Sequence, residues 1–514
     1  MPGSMAFVWQ RRFGWPSCSS RLSACRAVIN LVPCAILAAC TLGPDFLPPE
    51  APAAERYGSG STPEFLPIEN GSQTLVAGTA PEARWWRGLG SPNLDAMIER
   101  ALDRAPALEA AQATLRQAEE ALRAGSGVFY PQVDLAASAL RQRPSAYRVG
   151  PVAQPTQPFT LYTLTGSVGY VLDVFGAQRR AVEALGAQVR IEAEGLRGAR
   201  LTLAANLANT VIAAAGYRTQ IGLLEEQIEL QRQQLELARS LEATGLLPHA
   251  LVLNAQAALD AIRSALAPIR IRYRGASHLT AILQGDTPET AGSHGIDLSD
   301  FRQPSSLPLT LPSRLVRQRP DLRAAQSAVQ VASARIGVAT AALFPSFLLG
   351  ASYGRSAPEF ALPGTASGRF WSFGPSLDLP LFSGGAMLAQ RRAAVEFHRG
   401  ALAHWRSAVL AAFAQVADCL AALEHDGEVL TIQARQLRVA GQSLRLVAAS
   451  RQAGLVSDID LVAARIQYTQ AALALAQAQT VRLQDVVALM VALGGEVEND
   501  PTPVPLARIG QAVP

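Results

Sequence analysis

Between Gln178 and Thr244 the chain runs for 67 residues without a proline or a cluster of loop-forming residues. As one helix at 1.5 Å per residue it would span roughly 100 Å, longer than any globular core requires. Ile221, Leu224, Ile228, Leu235 and Ala238 follow three-four spacing along it, while Leu223, Leu230 and Leu237 form a second stripe at intervals of seven. Two apolar stripes demand neighbours on two sides, as in a ring or a multi-helix coil. The pattern also occurs twice. Pro106, Leu108, Ala110, Ala111, Gln112, Ala118 and Pro131 each match the residue 214 positions later, and Gly245-Leu246-Leu247 matches Gly454-Leu455-Val456 at a separation of 209.

Two repeat units follow, each a helix, a strand pair, a long helix, a glycine-marked turn and a returning helix. Repeat 1 (91–300) is expected to hold a helix from the Ser91-Pro92 cap to about Arg123, strands within 128–175, a long helix over 178–244 and a return over 248–284. Repeat 2 (301–500) places the same elements at 313–342, 345–380, 386–453 and 457–494, leaving 501–514 as a tail. Gly245 and Gly454 mark the reversals. Residues 40–90 are rich in proline, glycine and serine and read as an extended tether leading to Trp85-Trp86.

The strands alternate with period two. From Thr160 to Phe175 the even positions include Tyr162, Leu164, Val168, Tyr170 and Leu172, and the odd positions Thr163, Thr165, Ser167, Gly169 and Asp173. Val133, Leu135, Ala137 and Ala139, then Phe347, Leu349 and Ala351, then Trp371, Phe373 and Leu377, keep the same phase. Tyr162, Leu164 and Tyr170 are therefore candidates for a lipid-facing surface, with the tyrosines roughly 20 Å apart in height if the strand is tilted about 40°. A half-buried soluble sheet shows the same alternation. Four strands cannot close a barrel, so a membrane-spanning chain must oligomerise, in a number geometry alone does not fix.

The N-terminal 39 residues carry Arg11, Arg12, Arg21 and Arg26, no acid, and an apolar run from Ala27 to Leu37, the layout of a secretory signal. Leu37-Ala38-Ala39-Cys40 resembles a lipobox, which makes Cys40 the candidate for palmitate attachment; Thr41 in place of an aspartate directs the anchor to the outer membrane. Taking those four arginines from the 45 basic residues leaves parity with the 41 acidic ones, so a nucleic-acid partner has no electrostatic support. All basic residues are arginine, which removes the P-loop and Schiff-base lysines. The six histidines form no ligand pair, Gly350-Ala351-Ser352-Tyr353-Gly354 lies in a strand rather than at a nucleophile elbow, and Cys419 reads as packing. No catalytic, cofactor or metal site is expected.

Cys40-Thr41-Leu42-Gly43-Pro44-Asp45-Phe46, Trp85-Trp86, Arg319-Pro320-Asp321-Leu322-Arg323-Ala324-Ala325, Leu379-Pro380-Leu381-Phe382-x-Gly384-Gly385 and Gly454-Leu455-Val456-Ser457 carry a resemblance over essentially the whole mature chain. The chain resembles the outer-membrane factor lipoproteins of NodT type, related to TolC. The resemblance implies a mainly α chain with membrane β: a homotrimer with a long antiparallel α-helical coiled-coil barrel and a shared 12-stranded transmembrane β-barrel. It further implies a passive, non-enzymatic exit duct of a tripartite efflux pump for small molecules, seated in outer-membrane lipid. The partners would be a periplasmic adaptor (membrane fusion protein) and an inner-membrane RND-type transporter. Asp460 matches a gating aspartate, with Asp458 two residues before it and Arg451 and Arg465 as expected partners; Gly245 and Gly454 would lie at the same periplasmic tip. The first-unit equivalent of Asp460 is Leu251, and the second gate position falls on Ala463, which thins the expected ring of charge. A protein-secretion duct of the same fold and a periplasmic coiled-coil scaffold without a barrel are the alternatives.

Overall fold

The computed structural model describes residues 41–54, 56–58, 63–69, 71–143, 145, 156–290, 295–359 and 368–495; the signal segment, Cys40 and the tail 501–514 lie outside the described residues. In chain order its elements are β1 (Phe65–Ile68), β2 (Gly71–Ala77), α1 (Pro92–Arg104), α2 (Pro106–Ser126), β3 (Gln132–Gln142), β4 (Phe159–Leu172), α3 (Ala177–Ala243), α4 (His249–Leu283), β5 (Ser306–Leu309), α5 (Pro312–Gln318), α6 (Pro320–Ala341), β6 (Ser346–Ala357), β7 (Arg369–Asp378), α7 (Ala386–Gln452) and α8 (Asp458–Ala492). The chain divides across its repeats, not between them. Among the described residues, Ser126–Val182 and Ala334–Ala394, with 41–45, form one compact unit; Phe46–Gly125, Glu183–Ser333 and 395–495 form the other.

Proline sets two helix boundaries that the periodicity runs through. The single helix expected from Ser91-Pro92 to Arg123 is two: α1 ends at Arg104, Ala105 is extended (φ −64°, ψ 122°), and α2 starts at Pro106. The proline ring clashes with an α-conformed preceding residue, so the apolar spacing resumes only after a break. Repeat 2 behaves alike, and the helix expected over 313–342 is α5 and α6, parted at Arg319 before Pro320.

The first unit is built on an antiparallel sheet in the order β3-β4-β6-β7, so the two hairpins lie side by side. Asp173, just past β4, caps the start of α3: its carboxylate accepts from the backbone N–H groups of Gln178 (3.1 Å) and Arg179 (2.8 Å), where the helix dipole favours negative charge.

In the second unit the apolar stripes of α3 find their neighbours. Leu224, Ile228, Leu235 and Ala238 pack with Val252, Leu259 and Leu266 of α4, while Leu230 and Leu237 pack with Val462 and Ile466 of α8. The long helix thus has its own return helix on one side and the second repeat's on the other. A large core joins Trp86, Leu94, Ile98, Leu207, Ile212, Leu315, Trp405 and Val487.

The tether expected over residues 40–90 is corrected here. β1 pairs antiparallel with β2, and β2 pairs parallel with β5, Thr74 facing Ser306. Gln73 and Leu75 alternate inward, Trp85 and Trp86 are buried, and the Trp86 indole donates to Asp95 at 2.8 Å. Proline and glycine in this stretch mark turns between short strands, and the ordering cost is met by burial of both tryptophans.

Candidate functional site

Cross-strand register converts four separate alternations into two continuous faces. Val133, Ala137 and Ala139 stand opposite Val168, Leu164 and Tyr162; Tyr170, Val168 and Leu172 stand opposite Leu349, Ala351 and Phe347; these in turn face Pro375, Phe373 and Leu377. Tyr162, Leu164 and Tyr170 therefore lie on one apolar face, on which Leu164, Trp371 and Phe373 are exposed. The other face is a hydroxyl ladder: Asp134 opposite Ser167, the Thr163 and Ser356 hydroxyls 3.1 Å apart, and those of Ser352 and Ser372 2.8 Å apart. Ser352, centre of the G-x-S-x-G match, is a rung of that ladder inside β6. An apolar exposed face backed by a mixed one rich in hydroxyls suits a wall between lipid and water.

The segment that follows Cys40 is clamped to this same unit. The Leu42 N–H donates to the Phe175 carbonyl at 3.1 Å, and the buried Arg180 guanidinium reaches Asp45 at 2.6 Å. A side chain at Gly337 would strike Arg180 and the Leu42 carbonyl, and one at Gly176 would strike Thr41. Glycine at these two positions is what lets the segment approach so closely. Cys40 itself is outside the described residues, but its neighbour Thr41 is held where β4 passes into α3.

Both long helices end on a left-handed glycine, Gly245 (φ 76°) and Gly454 (φ 75°). The next N–H reaches back five residues in each case, Leu246 to Leu241 and Leu455 to Ser450, both at 2.9 Å. Leu246 and Leu455 are 74% and 78% exposed at these reversals. Beyond the second turn, Asp458 and Asp460 take different roles. Arg451 holds Asp458 through two bonds of 2.6 and 2.7 Å, which lowers the carboxyl's pKa. Asp460 is the far half of a capping box: its carboxylate accepts from the Ser457 hydroxyl (2.6 Å) and backbone N–H (2.9 Å), and those bonds lower its pKa. The expectation that Arg451 and Arg465 partner Asp460 is thus revised. Arg451 sits seven residues from Asp458 across the turn, and Asp460 turns back to its own helix end. Arg465 lines a groove with Asp458, Gln233, Glu236 and Ser240 between α8 and α3.

Sequence reasoning passed over one polar cluster. Arg482 of α8 is fully buried, donating to the Gln73 side chain at 2.8 Å and to the Leu423 carbonyl. Burial pulls its pKa down to about 10, and it faces Asp485 and Asp426. Desolvation, then the hydrogen bond with Asp426, pushes the Asp485 carboxyl up to about 7. An arginine in an otherwise apolar helical stripe was the available signal.

A family model described as outer membrane efflux protein matches residues 97–278 and 311–495, one block in each repeat. Nodulation protein T of Rhizobium leguminosarum bv. trifolii is 27% identical over 471 residues, covering 89% of this chain and 95% of that protein. The toluene efflux pump outer membrane protein TtgC of Pseudomonas putida is 27% identical, covering 90% and 93%. Among solved structures, the outer-membrane channel OprN superposes with a TM-score of 0.76 at 27% identity, covering 89% of this chain and 99% of that one.

Proposed function

The chain belongs to the outer membrane efflux protein family, and on that premise we propose that three copies assemble into the passive exit duct of a tripartite pump, releasing small molecules across the outer membrane. The observation that carries this reading is the register of the four-stranded sheet, which brings the apolar alternation of all four strands onto one face and the hydroxyl residues, with Leu140, Leu161, Val171, Leu348 and Phe370 among them, onto the other. Four strands leave two open edges, which lipid does not tolerate, and three chains supply the twelve strands of a closed barrel. The clamp on Leu42 and Asp45 supports a lipid anchor on Cys40 beside the foot of the sheet. Long α3 and α7, each 67 residues, supply a wall about 100 Å in length for a periplasmic tunnel.

The lysine-free sequence offers no P-loop for nucleotide hydrolysis, so the energy comes from a partner, which we take to be an inner-membrane transporter of RND type reached through a periplasmic adaptor. The exposed Leu246 and Leu455 at the glycine reversals, flanked by Asp458 and Asp460, are the proposed docking and gating tip. Purified protein should migrate as a heat-modifiable trimer and conduct ions in planar bilayers. A strain lacking it should accumulate hydrophobic drugs until the wild-type chain is restored. A monomer without conductance would favour a periplasmic scaffold, and normal drug export with lost secretion of a protein cargo would favour a protein duct.

A further inference from the structure

A cleft of about 600 Å³ lies where the turn between β1 and β2 meets helices of both repeats. Part of its lining is apolar: Leu298 and Phe301 from the link before β5, Leu430 of α7 and Leu483 of α8, all buried. The rest is polar, with Glu69 of the β1–β2 turn, Thr219 of α3, Gln303 and Gln479 of α8. That volume and that mixture, a largely apolar lining with a few converging polar groups, are those of a small-molecule site.

The open charge in the cleft belongs to Glu69. Asp297 also lines it, but Arg218 engages that carboxylate at 3.2 Å and the capping box with Asp300 engages it again. Glu69 accepts from the Gln479 side chain through one oxygen at 2.8 Å, and its other oxygen has no hydrogen-bond partner among the described residues. No arginine is among the described residues that line the cleft. The Gln303 amide oxygen is buried without a partner, a costly state for an acceptor. A donor entering the cleft gains it as a second acceptor once the amide turns.

These groups choose the ligand. One open carboxylate oxygen, with amide and hydroxyl oxygens near it, is too little charge to strip the water from a divalent cation. An ammonium group brings a single positive charge and its own N–H donors, and a charge-assisted bond to Glu69 suits it. Leu298, Phe301, Leu430 and Leu483 offer the surface for a hydrocarbon or aromatic body. We propose that the cleft binds a protonated amine with an apolar body, its ammonium on Glu69 and its body against Phe301 and the leucines. Bound ligand ties the β1–β2 turn to α7 and α8, and so raises the melting temperature of the folded chain.

The test is calorimetric titration of the full chain, purified and assembled in detergent, at pH 7 with 4-phenylbutylamine, with the uncharged 4-phenylbutanol, and with butylamine, which lacks the ring. The phenyl amine should bind saturably with one site per chain and raise the melting temperature. Glu69→Gln keeps an acceptor for Gln479 and removes the charge, and should bind it about tenfold more weakly. The alcohol should bind the wild type about tenfold more weakly than the phenyl amine and should not distinguish the two chains, and butylamine should lose about tenfold through its missing ring. Equal binding of the phenyl amine by the wild type and Glu69→Gln overturns the proposal, as does an alcohol that binds as tightly as the amine, or an absence of saturable binding. If Glu69→Gln fails to assemble, the contrast between amine and alcohol on the wild type decides.

Discussion

Replacing Ala351 by arginine puts the assigned faces to a quantitative test. Ala351 lies on β6 between Val168 and Phe373, four residues from Phe347 on one side and four from Arg355 on the other. Either rim is then about 14 Å away along the strand, or about 10 Å in height, beyond the reach of an arginine side chain lying against the wall. A guanidinium there should cost about 2–4 kcal/mol, whereas Arg355, four residues on, sits at a rim where the cost falls to about 0–1 kcal/mol. The neighbouring control is Ser352→Arg, one residue along and on the other face, which gives up a 2.8 Å hydroxyl contact with Ser372 worth about 0.5–1 kcal/mol. The two variants should thus differ by about fivefold or more in the folded fraction. Urea titration of folding into lipid vesicles, followed by unheated gel migration, measures this. An equal or larger loss for Ser352→Arg would mean that the hydroxyl face, not the apolar one, meets the lipid. On β4, Val168→Arg, directly opposite Ala351, should likewise cost more assembly than Ser167→Arg, whereas Leu164 lies level with Arg355.

At the tip, Asp458→Ala releases Arg451 and Asp460→Ala removes the capping box, two separate restraints; the double variant should raise single-channel conductance and vancomycin sensitivity more than either alone, and unchanged values in an assembled double variant would place the gate elsewhere. Asp485 has a folded pKa raised from 3.8 to about 7, so the folded state holds a proton that the unfolded state has lost, and its stability contribution declines as pH rises from about 4 through 7. Melting temperature should therefore fall between pH 5 and pH 8 in the wild type and flatten in Asp485→Asn; parallel pH curves for the two chains would refute the buried carboxyl's role. Cys40→Ser should abolish metabolic labelling with palmitate, and label retained in the variant would contradict acylation at that residue.

Legibility in the sequence followed the range of the interactions. Helical and strand periodicities are local, and the second stripe of Leu230 and Leu237 announced a second neighbour without saying which. The neighbour is α8, more than two hundred residues downstream. Phase agreement among Leu164, Ala351 and Phe373 was visible, while their pairing into one face needed the register. Pro106 and Pro320 are plain as repeat landmarks, but the apolar spacing runs through both and masks their local steric effect on Ala105 and Arg319. β1, β2 and β5 are four to seven residues long, too short for alternation to stand out among prolines. Asp458 and Asp460 stand out in the sequence as a pair, but which one Arg451 grips depends on the turn at Gly454.

The three-stranded sheet also imposes an order in time. Its middle strand, β2, is exported among the first parts of the chain, yet its parallel partner at Ser306 follows 232 residues later, and the arginine that grips Gln73 follows 409 residues later. Closing loops of that length is entropically costly, so contacts within each repeat form sooner. During export the N-terminal strand waits with an unsatisfied edge, open to other strands and to chaperones. Tyr57, Gln73 and Trp85 gain partners at Thr310, Arg482 and Gly495 only when the second repeat has arrived, so the earliest segment to emerge is the last to be locked.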